Sequence, residues 1–387
     1  VMNECGKGIA SSMAPCKMSK MRLRPLVVAV VTAAIPVVAC GSGSTTENAF
    51  VPATSLASRL GYTCAQLTDA TVRCWGMVPG LREADYRSKP TPVAGLYGVA
   101  GVAAGSYHAC ALVTGGTVRC WGSNAFGRLG DGTTTDHNDP TPVPELSGVA
   151  EITAGEHHTC ARLTDGTVRC WGYNGDGELG DGTTTNRPTP TPVPGLSDVA
   201  EVAAGTFHTC ARLTDGTVRC WGMNSDGELG DGSTTGRPTP VVVSGLSDVA
   251  EITAGGSYTC ARLNDGTARC WGANRVGELG DGGLTGLSGV AKIAAGASHT
   301  CARLTDGTVR CWGFNLSGQL GDGTTTSPLP PTPVPGLSNV TELSAGLAHT
   351  CALLVDGTVQ CWGSNRWGAL GDGTTTQRLT PAPVTWC

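Results

Sequence analysis

The chain has 387 residues, a formal net charge of −5 and only 15% charged residues, with 57 glycines, 23 prolines and 18 cysteines but few aromatics. A chain this long can bury a sizeable core, and the lack of charge blocks excludes a disordered chain or a polybasic nucleic-acid tail. High glycine with low charge points to many short strands joined by tight turns, provided an internal period and not low complexity underlies it.

Residues 1–20 carry no pattern, and the expectation is an over-extended start, with translation beginning at Met21 and Cys5 and Cys16 as artefacts. Residues 21–39 follow the order of a secretory signal peptide: Arg22 and Arg24, an apolar run from Leu26 to Ala39, then Cys40. The run is short for a membrane-spanning helix of about 20 residues. The ending VVAC resembles the lipobox of bacterial lipoproteins, which implies that Cys40 is lipidated and that 40–50 is a flexible tether to a membrane of the bacterial cell envelope. An ordinary secretory signal with a coincidental cysteine is the alternative. Without residues 1–39 the chain keeps 21 basic against 30 acidic side chains, a net charge of −9, so nucleic acid is not an expected partner.

From residue 51 to 387 one unit is written seven times. Its first cysteines are Cys64, Cys110, Cys160, Cys210, Cys260, Cys301 and Cys351, at steps of 46, 50, 50, 50, 41 and 50. The short step arises because the fifth unit runs from GDGGLTGLSGV into the next without the usual PTPV stretch. In the third unit VAEITAG (149–155), HTCARL (158–163) and TVRCW (167–171) read as strands, and TPTPV (189–193) as an edge strand, where proline is tolerated. No segment has helical periodicity. Three or four antiparallel strands every 50 residues or so, seven times over, predict an all-β, seven-bladed β-propeller.

The series AGxxHTCALxxDGTVxCWGxNxxGQLGDG resembles the repeats of the regulator of chromosome condensation family, which implies a seven-bladed propeller over roughly residues 51–387. The first unit departs most: Ala70 replaces a glycine, and MVPGLREADYRSKPTPV replaces the NxxGxLGDG segment. The family's namesake promotes nucleotide exchange on a nuclear small GTPase, an activity that an export signal and paired cysteines argue against. Some secreted bacterial members inhibit β-lactamases, so the resemblance also implies enzyme inhibition as a narrower role.

Fourteen cysteines form seven pairs ten positions apart: Cys64 with Cys74, Cys110 with Cys120, Cys160 with Cys170, Cys210 with Cys220, Cys260 with Cys270, Cys301 with Cys311, and Cys351 with Cys361. If LTDGT closes as a three-residue turn with Gly166 left-handed, Leu163 faces Thr167 and Cys160 faces Cys170 at a non-hydrogen-bonded site. Cα atoms there lie about 4.5 Å apart, within reach of a disulfide. Zinc sites gather cysteines at closer spacing, so one disulfide per blade is expected, each contributing roughly 2–3 kcal/mol on the chain-entropy model. Cys387 is left over.

Other motifs read as structural. His108, His158, His208, His299 and His349 precede the first cysteine by two positions, where Tyr62 and Tyr258 stand in the other units, and a site that accepts either residue is a packing position. The LGDG segments lack the GK[ST] of a phosphate loop, and stretches such as 174–178 lack the ligand pattern of a calcium loop. The tryptophans Trp75, Trp121, Trp171, Trp221, Trp271, Trp312 and Trp362 are expected between blades. No cofactor, metal or catalytic constellation is visible.

Chain direction places the AGxxH and CWGxNxxG loops on one rim and the DG turns and GLSDV connectors on the other. Only the first rim varies: Tyr107, Phe126, His157, Phe207, Arg275, Val276, Arg366 and Trp367 stand where other units differ. Aromatic and arginine side chains that the fold does not dictate have the composition of a binding face. The expectation is a monomeric, envelope-anchored, non-catalytic propeller that binds another protein or an envelope polymer. An enzyme acting on cell-wall or carbohydrate material is the alternative and needs an acidic pair on this rim.

Overall fold

The computed structural model describes residues 50–80, 85–280 and 287–386. The expectations for 1–39, for Cys40 and the tether to 49, and for Cys387 lie outside the described residues.

Seven antiparallel sheets follow one another along the chain, each built from one continuous segment: 53–92, 99–142, 149–192, 199–242, 249–272, 290–333 and 340–383, here blades 1 to 7. Blade 3 shows the plan, with strands Val149–Ala154, His158–Leu163, Val168–Gly172 and Arg187–Pro192 paired in chain order. The fourth strand begins two residues earlier than its sequence suggests, because Arg187 pairs with Gly172 past a bulge. Its prolines are accommodated because it is the sheet's edge, hydrogen-bonded on one side only.

The second and third strands meet at the DG turn as expected. The Leu163 N–H donates to the Thr167 carbonyl at 2.8 Å, and Gly166 has φ 79°. Asp165 shapes the turn by accepting both the N–H and the hydroxyl of Thr167, at 2.9 and 2.7 Å. Cys160 then lies opposite Cys170 with Cα atoms 4.1 Å apart. All seven pairs are disulfides.

The core lies between blades. Cys160, Val168, Leu179 and Val193 of blade 3 pack with Val202, Ala211 and Trp221 of blade 4, and similar clusters fill the other joints. The indole N–H of Trp221 donates to the Glu178 carbonyl of the preceding blade at 2.8 Å, so burying the ring leaves no unpaired polar group. Truncating one such tryptophan to alanine costs roughly 3–5 kcal/mol. Blade 5 is the exception. It has three strands among the described residues, and Cys270 and Trp271 are half-buried where their counterparts are buried.

The ring closes by the same contacts that join interior blades. Trp75 donates to the Ala369 carbonyl at 2.9 Å, Gly373 N–H to Ser88 at 2.9 Å, and Ala53 N–H to Gly357 at 3.0 Å. No strand is exchanged between the first and last described sheets. The first strand of every blade lines the central channel.

Candidate functional site: the AGxxH rim and the channel mouth

The two variable positions of each AGxxH loop face different ways. The first rings the channel mouth and hydrogen-bonds from blade to blade: Ser106 N–H donates to Gly155, Glu156 to Thr206, Gly256 to Ala297, and Leu347 to Leu60. The second carries a carbonyl that accepts the N–H of the residue after CWG, as His157 accepts from Tyr173 and Phe207 from Met223, both within 2.9 Å. These bonds hold the AGxxH and CWGxN loops on one rim. At the other end, Val199 N–H donates to Gly166 at 3.0 Å and ties the connector to the DG turn.

The second position reads Tyr107, His157 and Phe207 in blades 2, 3 and 4, and then Ser257, Ser298, Ala348 and Gly61. At this position one arc of the rim is therefore aromatic and the rest is small. His157 stacks on Tyr107, with centroids 5.7 Å apart and planes 7° from parallel, and lies 6.0 Å from Phe207. Phe126 sits 5.7 Å from His157 and 5.1 Å from Tyr173, which in turn lies 6.3 Å from Phe207. Four of the eight rim residues singled out from sequence thus form one cluster, with Tyr173 as an unanticipated fifth member. The carboxylate of Glu156, 3.3 Å from His157 Nε2, is held below its usual range chiefly by that contact.

Phe126 reaches the cluster because of Arg128. In blades 3 to 5 the corresponding residue is Glu178, Glu228 or Glu278, whose carboxylate accepts the N–H two residues back, as from Asp176 at 3.0 Å. Arginine has no acceptor to offer. Arg128 instead donates Nε to the Ala125 carbonyl at 2.9 Å, the loop becomes a single 3₁₀ turn, and Phe126 takes φ 67°. The buried guanidinium lies 5.7 Å from the Tyr107 ring and 5.8 Å from that of Phe126.

The other four expected rim residues lie apart from this cluster. Arg275 binds both carboxylate oxygens of Asp226 in the preceding blade, at 3.0 and 2.9 Å, and Val276 donates its N–H to Glu278 at 2.9 Å. Trp367 lies against Gly61 across the closing joint, with the Arg366 guanidinium 5.1 Å over its ring.

Beneath the rim, the five histidines bridge blades: His108 Nε2 is 2.7 Å from Thr159 Oγ1, His158 is 2.9 Å from Thr209, and His208 is 2.9 Å from Thr259. Burial pushes His158, His208 and His299 down to about 3 and His349 to about 4, so they are neutral structural groups. Tyr62 and Tyr258 donate from their hydroxyls to the His108 and His299 carbonyls, at 2.8 and 2.6 Å, and the Tyr258 hydroxyl also takes the Thr300 hydroxyl at 3.0 Å, so blade 5 keeps the threonine bridge. Among the described residues no three His, Cys, Asp or Glu side chains are gathered to hold a metal.

At the opposite channel end Glu151 pairs with Arg162, Glu201 with Arg212, and Glu251 with Arg262, each at 3.0 Å, and Lys292 adds to Glu251 at 3.2 Å, while Glu342, among the described residues, accepts only the Leu56 N–H, at 3.3 Å. Burial nevertheless pushes Glu201 up to about 7. The carboxylates of Glu151, Glu201 and Glu251 are each engaged by an arginine as part of the wall.

Fold and rim together define a seven-bladed propeller of repeat units stapled hairpin by hairpin. Models of the regulator of chromosome condensation (RCC1) repeat match residues 99–128, 149–178, 199–228, 249–278, 290–319 and 340–368, and in a second form 115–162, 165–212, 215–262 and 306–353. The chain belongs to this repeat family. Its fold is similar to that of yeast RCC1 (Prp20) bound to Kap60, with a TM-score of 0.72, 20% identity and 90% of each chain covered. A structure of Prp20p from Saccharomyces cerevisiae, described together with its binding to Gsp1p and histones, gives a TM-score of 0.70, 21% identity and 87% of each chain. The ectodomain of the Arabidopsis thaliana receptor kinase ACR4 gives 0.53 and 21%, over 87% of this chain and 99% of that one. No match to a functionally curated protein was found.

Proposed function

We propose that this protein is an exported, non-catalytic propeller, held at a membrane of the bacterial cell envelope through lipidated Cys40, that binds another protein through the aromatic arc of its rim. The observation that carries the binding role is the cluster Tyr107, Phe126, His157, Tyr173 and Phe207. It spans blades 2 to 4, and at the second AGxxH position the other four blades carry only Ser257, Ser298, Ala348 and Gly61. Tyr107 and Phe126 remain 43% and 40% exposed, and aromatic groups fixed by their neighbours lose little entropy when a partner covers them. Export is supported by the signal-like order of 21–40 and by seven disulfides, which persist in oxidising compartments. The complex of yeast RCC1 with Kap60 is a precedent for protein binding by this fold, without carrying its partner to this chain.

The test is a pull-down from envelope extract with the mature protein, a Tyr107→Ala/Phe207→Ala variant and a Trp367→Ala variant. A protein retained by wild type and Trp367→Ala but lost by the double variant supports the arc as the binding face. Equal retention by all three moves binding elsewhere, and captured glycan without protein replaces the proposed partner class with an envelope polymer. Membrane association unchanged by Cys40→Ser overturns the anchor.

A further inference from the structure

Six blades place glycine at the residue of the AGxxH loop that borders the channel, namely Gly105, Gly155, Gly205, Gly255, Gly296 and Gly346. Blade 1 places Arg59 there, at the end of strand Ala53–Arg59. Arg59 lines a cavity of about 260 Å³ within the channel and is the one charged residue in its lining. The lining includes Ala103, Ala154, Ala203, Ala254, Ala294 and Ala345 from the other six blades, although most of the surface it exposes is polar. The polar side chains there are largely committed: Ser58 to Thr63 at 3.0 Å, Thr153 to the Ala204 N–H at 3.2 Å and Thr253 to the Ala295 N–H at 3.3 Å.

The guanidinium makes one long hydrogen bond, from Nη2 to Thr206 Oγ1 of blade 4 at 3.4 Å, and no ion pair among the described residues. The neighbouring anion, Glu156, is engaged by His157. A guanidinium carries five donors in a planar fork, so most of Arg59's hydrogen-bonding capacity is open to the channel. Leaving such a group without an anion forgoes a strong charge-assisted contact.

We propose that Arg59 and Thr206 form a binding site for a carboxylate carried on a short aliphatic stem. The fork of Arg59 takes the two oxygens side by side, the Thr206 hydroxyl donates to one of them, and the stem lies along the alanine walls. A cavity of this size holds several heavy atoms, since one water takes about 30 Å³. The carboxylate comes either from a free small acid or from an acidic side chain that a bound partner inserts. The site does not depend on the aromatic arc being a binding face.

The experiment follows the Arg59 Nε–H resonance in the full chain carrying ¹⁵N-arginine, assigned by its absence from Arg59→Lys. Four probes are titrated: butyrate, butyramide, inorganic phosphate, and a short peptide with one central glutamate beside its glutamine counterpart. The expected result is a saturable shift with butyrate in the millimolar range, none with butyramide, and at least about tenfold weaker binding to Arg59→Gln. Saturation by the glutamate peptide alone supports the same site with a partner's side chain as its source. Phosphate binding as well as butyrate overturns the selectivity for a carboxylate on a stem, and no saturable shift with any probe overturns the site. The acid and amide arms are compared on wild type, so the proposal stays testable if Arg59→Gln fails to fold.

Discussion

His349 Nε2 lies 2.9 Å from the hydroxyl of Thr63, joining the last blade to the first by the contact that joins His108 to Thr159 inside the ring. Both residues are buried, so Thr63→Ala leaves the imidazole without its partner at the closing joint. Thr63→Ala is expected to lose about 1–3 kcal/mol in denaturant unfolding. Blade 5 keeps a bond at this place although it carries tyrosine, with Thr300 Oγ1 3.0 Å from the Tyr258 hydroxyl, whereas Tyr62 faces Ala109. Closure by other contacts alone would leave Thr63→Ala at wild-type stability.

The same histidines make the fold sensitive to acid. Their folded-state values lie near 3 to 4 against an ordinary 6.5, so the folded chain holds them neutral while the unfolded chain takes up protons. Their contribution is complete above pH 6.5 and is lost as pH falls toward 3, by roughly 2 kcal/mol per histidine at pH 5. Replacing His208 with tyrosine, the residue blade 5 carries at Tyr258, removes one of these groups. The stability difference between pH 7 and pH 5 is expected to shrink in His208→Tyr by about that amount, and an unchanged difference would falsify the assignment.

Glu178 has the opposite dependence. Burial pushes its carboxyl up to about 8, while Oε2 accepts the Asp176 N–H. The folded state keeps a proton that the unfolded chain releases around pH 4.5, so its contribution is complete in acid and fades as pH climbs to 8. Blade 6 already has an amide here: Gln319 Oε1 accepts the Ser317 N–H at 2.9 Å. Glu178→Gln should match wild type near pH 4 and exceed it by on the order of 4 kcal/mol at pH 8. Equal urea midpoints at both pH values would show that the site is not strained by charge.

Much of this was legible because the chain repeats. Seven copies separate what the fold demands, such as the DG turn and paired cysteines, from what it leaves free, and that contrast picked out Tyr107, Phe126, His157 and Phe207. It did not show which variable residues meet. Arg275 and Trp367 belong to the same loops, yet one pairs with Asp226 and the other covers Gly61. Tyr173 carries no signal of its own, because the position after CWG holds Met77, Ser123, Met223, Ala273, Phe314 and Ser364 in the other units. Arg59 and Arg128 were visible as departures, SRLGY for AGxxH and GRLG for GELG, but their effect depends on a channel and a loop that spacing alone does not reveal.

Blade 5 offers a chemical test of its more accessible disulfide. Cys270 is half-buried, whereas Cys74, Cys120, Cys170, Cys220, Cys311 and Cys361 are buried. A thiolate must reach a sulfur to exchange with it, so access sets the order of reduction. Limited treatment with a mild thiol, followed by alkylation and peptide mass mapping, is expected to label Cys260 and Cys270 before any other pair. Uniform labelling of all seven would mean that whole-chain opening, not local exposure, controls reduction.

Arg128→Glu tests whether one substitution builds the aromatic arc. Glutamate at this place in blade 3 accepts the N–H two residues back, while Arg128 donates to Ala125 and turns Phe126 to φ 67°. A non-glycine residue in that region carries backbone strain of order 1 kcal/mol, here offset by its contacts with His157 and Tyr173. Restoring a carboxylate gives the Phe126 N–H an acceptor and favours the ordinary loop. The expected outcome is loss of the Phe126–Tyr173 nuclear Overhauser contacts, with those between Tyr107 and His157 retained, and stability within about 1 kcal/mol of wild type. Persistence of the Phe126–Tyr173 contacts would place the cause in Ala125 or Phe126 itself, since the loop would then hold its turn without the guanidinium.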